Sequence, residues 1–232
     1  MSKLIPAVMN WSGGKDSTLA LHHIIQQKQF DVRFLLTTVN DSFERIAMHG
    51  VRESLLLEQV NQLGLPLLRV GLPEMPDMPT YERIMDKQFT DLKTTGITHF
   101  IYGDIFLEDL KLYRENQLAK YVMQGVFPLW KKDSFLLLNE FIDLGYKTII
   151  VCAQEGLQDF CGRVIDHNFL KDLPKGIDPC GENGEFHTFV FDGPIFNQPV
   201  DFNLGEKVRR TFQNPIPTED PIGFWYIDLL PI

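Results

Sequence analysis

Residues 11–17 read WSGGKDS, placed between an apolar run, IPAVMN, and the segment TLALHHII. Two glycines, Gly13 and Gly14, can adopt conformations that turn successive N–H groups into one concavity. A helix starting near Asp16 adds its positive end and its unpaired first-turn N–H groups to the same place. Ser12 and Ser17 bring hydroxyls, and Lys15 brings a mobile ammonium. The chemistry these residues suit is the holding of a phosphate or pyrophosphate at the carboxyl end of a first strand, where open α/β sheets bind ligands. The alternative is a glycine-rich turn that only reverses the chain.

Two later clusters carry further reactive side chains. In residues 103–117, GDIFLEDLKLYRENQ, Asp104 stands at a strand end, where it could ligate Mg²⁺ or orient an acceptor. Arg114 could pair with a phosphate or carboxylate through both arms of its fork. The other reading makes Glu108, Asp109, Arg114 and Glu115 a solvated helix face. In residues 178–194, DPCGENGEFHTFVFDGP, Glu182 and Glu185 flank Asn183 and Gly184. Such a pair could bind Mg²⁺, hold an ammonium ion or act as general base on an amine, and a polar hairpin turn accounts for it as well. His187 reads as structural, since no second His or Cys stands at metal-site spacing.

The elements that must position these groups follow from the pattern. Residues 4–10 read as a buried strand, 16–29 as a helix, 32–39 as a strand and 51–63 as a helix stopped by Gly64 and Pro66. A short strand at 67–70, a loop over PEMPDMP at 73–79, a helix at 81–95 and a strand at 99–102 complete a βαβαβαβ order. That order predicts a parallel sheet with helices on its faces. Helices are predicted at 110–124 and 133–144, a strand at 148–152, and β pieces at 187–191, 200–204 and 224–229. The change of pattern sets a boundary near residue 124, between a nucleotide-binding domain (1–124) and a smaller α+β domain (125–232).

Composition narrows the class. The 232-residue chain has a formal charge of −9, which argues against a nucleic-acid partner. The three cysteines form neither a CxxC pair nor a disulfide framework, and no apolar run approaches the ~20 residues that span a bilayer. With no basic and apolar leader at the N-terminus, a cytoplasmic protein is expected.

Three neighbouring glycine motifs fail. A Walker A loop needs glycine where Met9 stands and Ser or Thr where Asp16 stands. The Gly-x-Ser-x-Gly elbow fails at Asn10, and the third glycine of a dinucleotide fingerprint is missing. What remains, Ser-Gly-Gly-Lys-Asp-Ser, resembles the PP-loop of the ATP pyrophosphatases. With GDI…YRENQL, FPLWKKD…LLNEFIDLGYKTIIVCAQEGL and CGENGEFHTFVFDGPIF in the same order, the chain resembles the diphthine–ammonia ligase family over most of residues 4–195.

The resemblance implies a HUP-type parallel sheet under a cleft-covering C-terminal domain, with ATP and Mg²⁺ as cofactors. It implies a carbon–nitrogen ligase: a carboxylate is adenylated with release of pyrophosphate, and ammonia or an amine then displaces AMP. Carried over by position, Trp11, Ser12, Gly13, Gly14, Lys15, Asp16, Ser17 and Asn40 would hold the nucleotide, and Asp16 and Asp104 the metal. Lys15, Asp104, Glu182 and Glu185 would be catalytic, and Arg114 and Glu115 would face the acceptor. Two stretches differ from the family's usual pattern: FERIAMHGVRESLL (43–56) replaces a tyrosine-rich segment, and GENGEFHT replaces GEGGEYET. His49 and Arg52 in the first stretch read either as an acceptor pocket or as one exposed helix face. The acceptor, a protein side chain or a small molecule, stays open, as does homo-oligomerisation. Competing readings are a non-catalytic ATP- or AMP-binding regulator and a tRNA-modifying PP-loop enzyme.

Overall fold

The computed structural model describes residues 3–46, 49–213 and 220–232. The chain opens with β1 (Ile5–Asn10), α1 (Lys15–Gln27), β2 (Phe30–Asn40), a two-residue β3 (Arg45–Ile46), α2 (Glu53–Leu63) and β4 (Leu67–Leu72). Then come α3 (Met78–Thr94), β5 (His99–Ile101), α4 (Glu108–Ala119) and β6 (Gln124–Val126). The remainder is α5 (Ser134–Asp143), β7 (Lys147–Gln154), α6 (His167–Asp172), β8 (Phe186–Asp192), β9 (Phe202–Phe212) and β10 (Ile222–Pro231).

Five strands form a parallel sheet in the order β4-β2-β1-β5-β6, and β3 adds an antiparallel bridge to the end of β2. β1 is its centre: Ala7, Val8 and Met9 are fully buried, as a strand covered on both faces must be. Its carboxyl end therefore delivers residues 11–17 to the middle of the sheet edge. The second sheet is antiparallel, in the order β8-β7-β10-β9. The α/β parallel core with a smaller α+β part is the fold class read from the sequence.

Local chemistry fixes the helix ends. Asp77, Asp133 and Asp166 cap α3, α5 and α6 by accepting from the backbone N–H three residues on, at 3.0, 2.9 and 2.8 Å. Pro79 falls in the first turn of α3, so the loop expected over residues 73–79 gives way to helix at Met78. The helix expected over 110–124 also ends early, at Ala119. Val122 turns to φ 60°, and Gln124–Val126 then pair with His99–Ile101 as the outer strand of the parallel sheet. A helix-like apolar spacing masked that three-residue strand, because short buried strands carry no period of their own.

The end of β5 meets the start of α1 with no space between them. A Cβ on Gly103 would stand 2.8 Å from the Asp16 carbonyl carbon and 2.9 Å from both the Asp16 oxygen and the Ser17 nitrogen. Those are backbone atoms and cannot swing aside. Gly103→Ala is expected to cost about 1–3 kcal/mol as overpacking and to weaken nucleotide binding by moving the first turn of α1. Urea unfolding checks this, and an unchanged midpoint would contradict it.

Candidate functional site

The loop between β1 and α1 is built by bonds from three directions. From β2, Leu36 O accepts from Trp11 N at 2.7 Å, and Thr37 Oγ1 donates to Trp11 O at 2.7 Å. Within the loop, Ser17 Oγ and Thr18 Oγ1 each donate to Gly14 O at 2.9 Å, and Ser12 Oγ lies 3.2 Å from Ser17 Oγ. From β8, Val190 N donates to Gly13 O at 2.9 Å, and Thr188 Oγ1 accepts from Lys15 N at 3.0 Å.

Gln59 of α2 locks these together. It is fully buried; its Oε1 accepts from Trp11 Nε1 at 2.8 Å, and its Nε2 donates to Gly13 O at 3.0 Å and Val190 O at 2.6 Å. Gly13 has φ 77°, and a Cβ there would meet Gln59 Oε1 at 2.9 Å, so both the backbone angle and the space require glycine. Sequence reading passed over Gln59. Its signal was a polar residue within the buried stripe Leu55, Leu56, Gln59 and Val60.

The loop forms one wall of a cavity of about 550 Å³. Lys15, Asp16 and Ser17 line it with Asp104, Arg114 and Glu182, and the segment from Cys180 to Thr188 contributes the opposite side. Lys15 is 3% exposed, and its Nζ contacts Asp16 Oδ2 at 2.8 Å and the carbonyl oxygen of Cys180. An ammonium has three donors, so one remains. Burial works against the charge of Lys15, but Asp16, with Cys180 and Glu182, outweighs it and holds the pKa above the usual lysine value.

Three carboxylates press on one another here. Burial raises Asp16, with Lys15 opposing; burial raises Asp104, with Arg114 opposing and Asp16 adding. Burial pushes Glu182 up to about 7, although the Ile105 N–H bonded to its Oε1 at 2.7 Å pulls the other way. Arg114 Nε lies 2.9 Å from Asp104 Oδ2, an ion contact too poorly aligned to make a hydrogen bond, so both buried atoms keep unused capacity.

His49 and His187 stack with ring centroids 4.6 Å apart and both line the cavity. His49 Nδ1 donates to Thr188 O at 3.1 Å, which leaves Nε2 as its lone-pair nitrogen. Burial lowers His49 to about 4 and holds His187 well below the usual value, so both rings are neutral. Residues 47–48 of the same divergent stretch lie outside the described residues.

Several expected site residues stand elsewhere. Arg52 caps α2 and binds both oxygens of Asp228, at 3.1 and 2.6 Å, so it shares no helix face or pocket with His49. Glu115 pairs with Lys111 on the outer face of α4. Asn40 Oδ1 accepts from Ser42 N and Phe43 N, at 2.9 and 3.3 Å, and caps the turn after β2. Glu185 is buried beneath its own turn: Oε1 accepts from Asp178 N at 3.0 Å and Oε2 from Asn183 N at 2.9 Å. The two glutamates thus divide, with Glu182 facing the cavity and Glu185 shaping the loop that presents it.

With this geometry in place, the family follows from sequence comparison. The family model for the diphthamide synthase N-terminal domain matches residues 5–119, and that for the diphthamide synthase C-terminal domain matches residues 133–214. The chain belongs to the diphthine–ammonia ligase family. A diphthine–ammonia ligase of Danio rerio is 30% identical over 132 residues, 53% of this chain and 49% of the relative. That of Schizosaccharomyces pombe is 24% identical over 230 residues, 86% of this chain and 36% of the relative. The human one is 29% identical over 113 residues, 46% of this chain and 42% of the relative. The chain thus spans less than half the length of these relatives. A solved U34-tRNA thiolase, NcsA from Methanococcus maripaludis, superposes with a TM-score of 0.37 at 18% identity, covering 61% of this chain and 57% of that one. Among the described residues, no helix is long and apolar enough to cross a membrane.

Two outcomes follow from the site. Gln59→Leu keeps volume but leaves Trp11 Nε1 and Val190 O without their partner; we expect a loss of about 2–4 kcal/mol in urea unfolding and weaker AMP binding. Unfolding free energy equal to wild type would contradict the bracing role.

Glu182 gives a pH signature. Its folded pKa of about 7 stands above its usual 4.5, so the unfolded chain loses the proton first. The contribution of Glu182 to stability therefore falls as pH rises from 4.5 to about 7 and is constant on either side. Glu182→Gln removes that penalty, so the variant should be more stable than wild type by about 1–3 kcal/mol at pH 8, with the gap closing near pH 5. Melting curves across that range read it directly.

Proposed function

We propose that this chain is an ATP-dependent ligase that adenylates a carboxylate and passes the acyl group to ammonia or an amine. The observation that carries the reading is the convergence of Lys15, Asp16, Asp104 and Glu182 on one cavity at the mouth of the PP-loop. In the first step a carboxylate oxygen attacks the α-phosphorus of ATP, the bond to the bridging αβ oxygen breaks, and pyrophosphate leaves. The loop N–H groups that have no protein partner, Ser12 and the free donor of Lys15 would stabilise the charge that grows on that leaving group. In the second step nitrogen attacks the acyl carbon, AMP departs with the former carboxylate oxygen, and a proton leaves the nitrogen.

Glu182 is suited to take that proton. One oxygen is fixed by the Ile105 N–H, the carboxyl faces the cavity, and its pKa of about 7 matches the working pH. Arg114 would orient the incoming carboxylate. The donors fit Mg²⁺: Asp104 has a buried oxygen with no hydrogen bond, and Asp16 opens into the same cavity. Asp16 and Asp104 would hold the ion, and when bound it supplies Lewis-acid neutralisation of phosphate charge.

The acceptor would be the diphthine carboxylate or a related acid. The His49–His187 pair occupies both stretches that differ from the family pattern, which places the two differences on one surface of the cavity.

The test is product analysis. ATP, Mg²⁺, ammonium and candidate acids should give AMP and pyrophosphate, and Lys15→Ala should lower that rate by roughly 10²–10³-fold. ADP with phosphate would contradict the reading. Tight nucleotide binding with no turnover under any acceptor would make the chain a regulator instead.

A further inference from the structure

Behind Arg114 the main cavity opens into a recess of about 210 Å³, and the two share Asn10, Thr38, Leu110 and Arg114. Tyr81, Met85 and Phe89 of α3 form one wall; Tyr102, Tyr113 and Gln117 form the other. At about 30 Å³ for a water's share of liquid, this is room for roughly seven water-sized groups, or one six-membered ring with a short arm.

Four aromatic rings, those of Tyr81, Phe89, Tyr102 and Tyr113, line the recess with Met85, and the polar groups of Asn10 and Thr38 stand where it joins the main cavity. Gln117 Nε2 is spent on Glu82 Oε1 at 2.9 Å, and the Tyr113 hydroxyl turns to the same oxygen at 3.5 Å. Burial raises the phenols of Tyr81, Tyr102 and Tyr113, so they stay neutral. Among the described residues lining it, Arg114 alone is charged, and it stands at the doorway. Its guanidinium lies over the Tyr102 ring, 4.2 Å from the centroid, which fixes the plane of the fork. Its Nε has no hydrogen bond, despite the nearby carboxylate of Asp104.

We propose that this recess is the acceptor subsite and takes the ring-sized apolar or aromatic body of a carboxylic acid whose carboxylate lies on Arg114. The doorway then points that carboxylate at the main cavity, where Lys15 and the PP-loop hold the phosphates. Aromatic walls favour a flat apolar body by burial and ring contact, and the single cation at the mouth sets the orientation. The inference rests on the ligase reading above and names the substrate class for it.

Calorimetry on the full chain with phenylacetate, acetate and 2-phenylethylamine tests it. Phenylacetate should bind at least about tenfold more tightly than either of the others, and Arg114→Gln should reduce it to the level of acetate. Met85→Trp, which fills the recess, should abolish phenylacetate binding while leaving AMP affinity within about twofold of wild type. Gln117→Phe fills it from the partly exposed face of α4 and serves if the buried variant does not fold. Equal binding of the three probes would overturn the proposal. So would a tenfold or greater loss of AMP affinity in the filled variants, since the recess would then hold the nucleotide base. Neither result would change whether ATP is cut to AMP, so failure of the subsite and failure of the ligase reading are separable.

Discussion

The glycine-rich loop between β1 and α1 is not free-standing: its shape depends on hydrogen bonds from a strand of the other sheet. Val190 and Thr188 of β8 bond the backbone of Gly13 and Lys15, and the Gln59 amide ties Gly13, Trp11 and Val190 to one another. A glycine-rich turn in water samples many conformations, and fixing one is costly in entropy. Here that ordering is met by folding, since the bonds that fix the loop are also those that dock the two sheets. Under the proposed function a nucleotide would meet donors already in place, which is the condition under which electrostatic stabilisation is effective.

The same docking sets the charge of the cavity. Lys15 is buried beside Asp16 and under the Cys180 carbonyl, while Glu182 arrives from the second sheet side and bonds Ile105 of the first. Burial drives Asp16, Asp104 and Glu182 upward together, with Lys15 and Arg114 as the cations set against them. Under the proposed function a divalent cation would relieve that crowding.

The central strand, the motif and the helix after it were legible because their signals are local: an apolar run, two glycines, a capped amphipathic segment. Strand β6 was not, since three residues of Gln-Gly-Val carry no period and only pairing with β5 makes them a strand. Among the residues that line the cavity, Lys15 and Asp104 were legible from type and place, whereas Arg114 fitted a solvated helix face equally and was singled out by the family resemblance. Glu182 and Glu185 looked alike in sequence, yet local backbone N–H groups claim both oxygens of Glu185, while Ile105 N–H, 77 residues away, claims one oxygen of Glu182. His49 and Arg52 parted for a similar reason: Asp228, 176 residues away in sequence, claims the arginine. Gln59 and Thr188 escaped notice because their partners are carbonyls and N–H groups, which sequence does not distinguish.

Membership of the diphthine–ammonia ligase family agrees with this construction, since the matches cover both the loop-bearing sheet and the segment that closes over it. The most direct test of the central claim is a crystal structure with Mg²⁺ and an ATP analogue carrying a methylene between its α and β phosphorus atoms. The account predicts β- and γ-phosphates against the N–H groups of the loop and Lys15, with Thr188 and Val190 unmoved. A triphosphate seated elsewhere, or a loop that releases β8 to receive it, would contradict it.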